Sequence, residues 1–255
     1  MRTIHQNIFS GAIVLSTLAA CNTTNPGSTA TNDTAMTNTG GLSNDSSQQQ
    51  SNSAYVALFD GKTLDGWRTY RNKGDSAWSV QDGVLHCAGS ESDKSDMQAD
   101  LITNDQYENF DFSVEWKIAP QGNSGIMYLV GETEEAAYMT GPEYQLIDDA
   151  NFPEKLEDWQ KTGANYAMHP APDARPNPVG QWNQTRIVVN RGKVEHWLNG
   201  TRIVSYDMNS DEWKAAKSGG KWKDTPAYGT VKKGHIALQN HGSEAWFRDI
   251  KIKQL

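Results

Sequence analysis

The chain has 255 residues, with 23 Lys and Arg against 31 Asp and Glu, for a formal charge of −8. No basic stripe interrupts this acidic balance, which argues against a nucleic-acid partner. Two cysteines, Cys21 and Cys87, are too few for a disulfide-stapled scaffold.

Met1-Arg2-Thr3 opens with a positive charge, and an apolar run without acids extends from Ile8 to Leu18. That pattern predicts an export signal over residues 1–20, too short for a permanent membrane span. Small residues lead into Cys21 in Leu18-Ala19-Ala20-Cys21, which is similar to a bacterial lipobox with Cys21 as the acylated first residue. An ordinary cleavable signal with a chance cysteine is the alternative. The expected location is therefore the cell envelope, membrane-attached through Cys21. Asn22, rather than Asp, points toward the outer membrane or a periplasm-facing site. Residues 21–53 are Asn, Thr, Ser, Gly and Gln with almost nothing apolar. They bury too little to offset ordering entropy, which predicts a flexible tether. Such a tether holds the globular part roughly 30 Å from its anchor.

Residues 54–255 fit one domain. Asp60-Gly61 and Asp65-Gly66 are turn signals. Trp78–Val80 and Asp82–Leu85 read as a hairpin; Leu101–Thr103 is a short strand candidate. In that region Cys87 reads as a small core residue, and once Cys21 is acylated it has no disulfide partner. Phe110, Phe112, Val114, Trp116 and Ile118 alternate with Asp111, Ser113, Glu115 and Lys117, the clearest half-buried strand in the chain. Asn123-Ser124-Gly125 is expected to turn the chain into a strand from Ile126. Gly141-Pro142 marks a further turn before Glu143-Tyr144-Gln145-Leu146-Ile147. A spacing of two puts Glu143 and Gln145 on one face, with Tyr144 and Leu146 on the core face. An acid beside an amide suits a sugar; a solvated strand face without a ligand is the bland alternative.

Asp149 or Asn151 is expected to cap a short helix with Pro153 and Glu154 in its first turn. A proline-rich loop follows, with Tyr166 and His169 at its base. Arg191-Gly192 and Asn199-Gly200 separate three strands between Thr185 and Tyr206. Ser210 caps a short helix over 211–217. The last strands are 234–240 and 245–253. Alternation places His235, Ala237, Gln239 and His241 on one face of the first, and groups Trp246 and Arg248 with Ile250 and Ile252 in the second, where Arg248 is expected either to pair with an acid or to contact a carboxylate or ketone oxygen of a ligand. Repeated Asp-Gly and Asn-Gly turns with only short helices predict an all-β sandwich with short helices in loops. Trp116, Trp182, Trp197 and Trp246 are candidates for sugar stacking or for core. No two-His zinc motif, paired-Cys motif, nucleophile elbow or phosphate loop is present. Glu143, His235 and His241 would meet around a metal only through the fold.

Several motifs come in a distinctive order: Phe59-Asp60-Gly61-Lys62-Thr63-Leu64-Asp65-Gly66-Trp67, Asn123-Ser124-Gly125, the Gly-Pro-Glu-Tyr-Gln run, Trp197-Leu198-Asn199-Gly200 and Phe247-Arg248-Asp249-Ile250. With these, residues from about Tyr55 to Leu255 resemble the DUF1080 family, or 3-keto-disaccharide hydrolase domain. The resemblance implies a concanavalin A-like jelly-roll sandwich and cleavage of glycosides oxidised to a ketone at C3. That family commonly has Asp where Asn240 stands and Asn where Asp249 stands. The implied chemistry needs a base, an acid and an enolate stabiliser. Glu143 and His241 are the expected acid–base pair. Asn123, Gln145, Asp148, Tyr166, Asn183 and Gln239 are expected substrate contacts, and Arg248 or a divalent cation the stabiliser; no organic cofactor is implied. A non-catalytic carbohydrate-binding module and an ordinary glycosidase using Glu143 and Asp148 are the rival expectations. For the second, alternation sets the two carboxylates on opposite faces.

Overall fold

A computed structural model describes residues 54–74, 77–89 and 99–255. The expected signal, tether and acylated Cys21 lie outside these residues. Among the described residues no helix is long and apolar enough to cross a membrane.

Among the described residues thirteen strands form two antiparallel sheets. The larger contains β11 (Thr201–Asp207), β10 (Lys193–Leu198), β9 (Asn183–Asn190), β6 (Phe110–Ile118), β13 (Ala245–Gln254), β4 (Val84–Cys87) and β3 (Trp78–Gln81) in that order, with β1 (Val56–Ala57) paired to β13. The smaller runs β2 (Trp67–Thr69), β5 (Leu101–Thr103), β12 (His235–Leu238), β7 (Asn123–Val130), β8 (Glu143–Ile147). The architecture is the expected jelly-roll β-sandwich. Its only α-helix among the described residues is α1, Asp211–Gly219, where Ser210 Oγ accepts from the Trp213 N–H as an N-cap should. Tight hairpins form where the dipeptides demanded them. Asp82-Gly83, Arg191-Gly192 and Asn199-Gly200 all have positive φ at both positions, the geometry that matches strand twist.

The core lies between the sheets. All five alternating apolar residues of β6 are buried there, facing Ile126 and Tyr128 of β7, Tyr144 and Leu146 of β8, and Ile236 and Leu238 of β12. Burial of each such side chain contributes about 1.5–3 kcal/mol. Cys87 is part of this core, and burial pushes its thiol up to about 12. One polar network crosses the core: His196 bonds the Tyr128 hydroxyl at 2.8 Å and the Gly163 carbonyl at 2.9 Å. Tyr144 packs on that imidazole, ring centroids 4.8 Å apart, which locks β8 with its even-numbered side chains inward.

Three expectations fail for local reasons. Asn123-Ser124-Gly125 belongs to β7, because the turn comes earlier, at Gln121-Gly122, where Gln121 has φ 58°. No helix starts at Pro153; Asp148 instead ties the Ala150 and Asn151 N–H groups into a turn, and one 3₁₀ turn follows at Asp158–Gln160. In β13 the pairing register shifts between Arg248 and Lys251, and Asp249 adopts φ 47°. This bulge inverts the alternation. Trp246 and Arg248 thus face outward, while Ile250 and Ile252 face the core.

Candidate functional site

The smaller sheet leaves its outer face open between loops, and a cavity of about 540 Å³ sits there. That size lies within the usual range for small-molecule sites. Strand register builds its floor. Gly125 of β7 pairs with Gln145 of β8 on one side, and on the other its carbonyl accepts the Gln239 N–H at 2.9 Å. Asn123, Glu143, Gln145 and Gln239 therefore project side by side from neighbouring strands. His241 reaches the same cavity from just beyond β12, and Tyr166, Phe152, Leu156 and Gln160 come from the loop after β8. Tyr138 and Lys221-Trp222 complete the wall.

Glu143 has only 5% of its surface exposed. Burial raises its pKa to about 8; nearby Lys221 pulls it down and Asp100 pushes it up. Asp100, also on the cavity, is held near 7, chiefly by burial, although its Oδ1 accepts the Asn240 N–H at 3.0 Å. His241 touches solvent at the mouth, yet the protein mass around it, with Lys221 nearby, lowers its pKa. The two groups are thus biased in opposite directions: a carboxyl that holds its proton and an imidazole that sheds one. Oppositely tuned titratable pairs are the usual form of an acid–base site.

Among the described residues three buried side-chain oxygens have no hydrogen-bond partner: Asn123 Oδ1, Gln145 Oε1 and Gln239 Oε1. All belong to residues lining this cavity. An unmet buried polar atom costs about 1–3 kcal/mol, so three in one place mark a surface shaped for a polar ligand. Amide groups can be turned either way to donate or accept, which suits hydroxyl groups.

Of the residues expected from the sequence, Glu143, His241, Asn123, Gln145, Tyr166 and Gln239 meet in this cavity. Asp148, Asn183 and Arg248 do not. Asp148 points the other way, as alternation requires, and borders a separate space of about 190 Å³. Burial favours its neutral form, but hydrogen bonds from Gln121 and Asn151 outweigh this and hold its pKa below the usual range. Asn183 borders that same space and accepts from the Asn177 N–H and the Asn199 amide. Arg248, turned outward by the bulge, donates to Glu115 at 2.7 Å and lies 4.0 Å over the Trp182 ring.

His235 bonds Thr103 O and Gln106 and does not line the cavity. His169 stacks on Tyr206, 4.6 Å between centroids, instead of bordering the site. None of Trp116, Trp182, Trp197 and Trp246 lines the cavity either; Trp222 does, stacked 4.1 Å from Tyr228. Among the described residues no group of three or more His, Cys, Asp or Glu is placed to hold a metal ion.

Sequence reasoning missed Asp100, Lys221 and Trp222. No periodic strand carries them, and only the folded loops bring them to the sheet. The one available signal was the aromatic pair Trp222 and Tyr228 in a segment otherwise poor in structure.

The fold and the site define a jelly-roll β-sandwich protein with an amide-lined cavity on one sheet face. Residues 54–253 match the sequence model of the 3-keto-alpha-glucoside-1,2-lyase-like domain, and the chain belongs to that family. It is 34% identical over 228 residues to a Bacteroides thetaiotaomicron protein named 3-keto-disaccharide hydrolase, covering 79% of this chain and 78% of that one. Among solved structures it is similar to a Parabacteroides distasonis protein provisionally named a glycosyl hydrolase. That pair shares 42% identity and a TM-score of 0.73, over 79% of this chain and 94% of the other. A Bacillus subtilis protein with a galectin-like fold, at 15% identity and TM-score 0.51 over 79% and 94% of the two chains, shares the fold alone. The family match and the Bacteroides relative support a glycoside hydrolase-like role.

Proposed function

We propose that this protein cleaves glycosides whose sugar carries a ketone at C3, by proton abstraction at C2, elimination and addition of water. The observation that carries the reading is the meeting of Glu143 and His241, from distant parts of the chain, in one cavity with three unpartnered amide oxygens.

The C3 carbonyl acidifies the C2 hydrogen. Neutral His241 takes that proton, and the C–H electron pair becomes an enolate. The enolate collapses back to the ketone, forms a C1–C2 double bond and expels the C1 oxygen, which takes a proton from Glu143. Water then adds across the double bond: Glu143 takes one of its protons as the hydroxyl joins C1, and His241 returns a proton to C2, which restores both groups. The lowered pKa of His241 keeps it ready as a base, and the raised pKa of Glu143 keeps a proton ready for the leaving group. Each role is worth roughly 10²–10⁴-fold. Asn123, Gln145 and Gln239 hold the sugar hydroxyls.

The test is a product assay in deuterated water on a glucoside and its 3-keto counterpart. Cleavage of the 3-keto sugar alone, with deuterium at C2, is expected, and both Glu143→Gln and His241→Ala should lose it. Wild-type turnover in both variants rejects the assignment. A second reading, direct glycosidase chemistry by two carboxyls, gains from Asp100, which shares the cavity with Glu143 as Asp148 does not. Cleavage of unoxidised nitrophenyl glycosides would favour it. We further propose that the enzyme acts in the cell envelope, anchored through Cys21, as Leu18-Ala19-Ala20-Cys21 suggests. Fatty-acid labelling that Cys21→Ser does not abolish would reject that anchor.

A further inference from the structure

The enolate in this scheme puts a full negative charge on the C3 oxygen, and Arg248, the side chain the sequence offered for it, faces the opposite sheet's exterior. Among the described residues, Lys221 is the one Lys or Arg that lines the cavity. Its position is built rather than incidental. Lys221 follows α1 and precedes Trp222, which is buried, stacked on Tyr228 and directed by its Nε1–H toward the Tyr166 carbonyl at 3.4 Å. That anchor fixes the Lys221 backbone at the cavity wall. The ammonium lies 4.3 Å from the Tyr166 ring centroid and 4.9 Å from that of Trp222. A contact of this kind at an open site is worth only about 0.5–1 kcal/mol, so the flexible stem can release it for a stronger partner.

We propose that Lys221 is a catalytic residue whose ammonium pairs with the C3 oxygen as it becomes an enolate. The inference rests on the 3-keto reading above. Charged or titratable groups that share the cavity with it are Glu143, Asp100, His241, Tyr138 and Tyr166. The protein mass around Lys221 lowers its pKa, and charge on Glu143 counters that shift only in part. An ammonium already beside the C3 oxygen when the oxyanion develops stabilises it without further reorganisation. The ground-state ketone is neutral, so the ammonium gains most in the transition state, which places its effect on kcat rather than on substrate affinity.

The experiment compares wild type, Lys221→Met and Lys221→Arg in the full folded domain, on a 3-keto-disaccharide in deuterated water. It follows kcat, KM and deuterium entry at C2 separately. Lys221 is exposed, so neither variant should disturb folding; thermal melts check this. Lys221→Met should lower kcat and C2 exchange by about 10²–10³-fold, with KM within about threefold, and Lys221→Arg should recover at least about tenfold. A Lys221→Met enzyme with wild-type kcat, or one altered in KM alone, overturns the role of Lys221 while leaving the reaction intact. A wild-type enzyme that neither cleaves the 3-keto sugar nor exchanges at C2 overturns the reaction itself, and this assignment with it.

Discussion

Gly125 leaves vacant the space that the Glu143 carboxylate fills: a methyl group built on Gly125 would stand 2.9 Å from Glu143 Cδ, closer than real Cβ contacts allow. Register explains the relationship. Gly125 pairs with Gln145 and Met127 with Glu143, so Gly125 and Glu143 are diagonal neighbours on one face. Without a side chain in the middle strand, the carboxyl can lie down across the sheet. Gly125 has no positive φ, so alanine is tolerated by the backbone and acts only through this contact. Gly125→Ala should lower kcat/KM on a 3-keto-disaccharide by about 10²-fold, the usual cost of displacing a reacting group by an ångström. Overpacking should cost about 1–3 kcal/mol of stability, offset in part by reduced chain entropy. Kinetics and thermal melts of the one variant check both, and unchanged kinetics would mean that the carboxylate does not need this resting place.

Burying Glu143 has a thermodynamic consequence with a definite sign. Its folded pKa is about 8, against an ordinary value of 4.5. Between these values the unfolded chain has released the proton and the folded chain still holds it. The folded state binds more protons there, so stability falls as pH rises from about 4.5 to about 8. Glu143→Gln removes this penalty. At about 1.4 kcal/mol per pKa unit, the variant should gain a few kcal/mol at pH 8 and almost nothing near pH 4.5. Thermal melts of both proteins at the two pH values test this, and parallel pH profiles contradict it. An inactive variant that is more stable is what a strained functional site leads one to expect.

The unpartnered amides make a paired prediction. In the unbound protein Gln145 Oε1 and Gln239 Oε1 are buried without partners, so each lowers stability. Gln145→Leu and Gln239→Leu should therefore leave the melting temperature unchanged or raise it, by about 1 kcal/mol equivalent. The same variants remove a hydrogen bond to bound sugar, worth about 1–3 kcal/mol, and should weaken binding by roughly 10–100-fold. Calorimetric titration with the sugar product alongside melts separates the two effects. A fall in stability with binding intact would mean that these amides brace the sheet.

The site was legible in sequence where a side chain's direction follows from alternation within one regular strand. Glu143 and Gln145 lie opposite Tyr144 and Leu146 because β8 is regular. Gln239 and His241 kept the face that Ala237 sets, past the end of β12. Legibility ended at irregular backbone. One residue, Asp249, with its left-handed φ, sent Trp246 and Arg248 outward, and no periodic count foresees a bulge. Asp is among the few residues that accept that conformation, so its presence there is locally reasonable but not predictive. Lys221, Trp222 and Asp100 were invisible for a different reason: they reach the cavity from loops, where position depends on tertiary packing alone.

Arg248 supplies the sharpest contrast between the sequence expectation and the fold. Its guanidinium donates to Glu115 and covers Trp182 on the outer face of the larger sheet. Both groups of this ion pair are partly open to solvent, with side-chain exposures of 42% and 30%. Such a pair contributes about 0–1 kcal/mol, and the ring contact about 0.5–1 kcal/mol. Arg248→Ala should therefore lower the melting temperature by only a few degrees and leave kcat and KM within about twofold of wild type. If Arg248 instead held the enolate oxygen, kcat would fall by about 10²-fold or more. Measuring kcat for Arg248→Ala beside Lys221→Met, in the same assay, decides which cation the reaction uses. A large loss in the first and none in the second would require the 3-keto sugar to bind on the opposite sheet, away from Glu143.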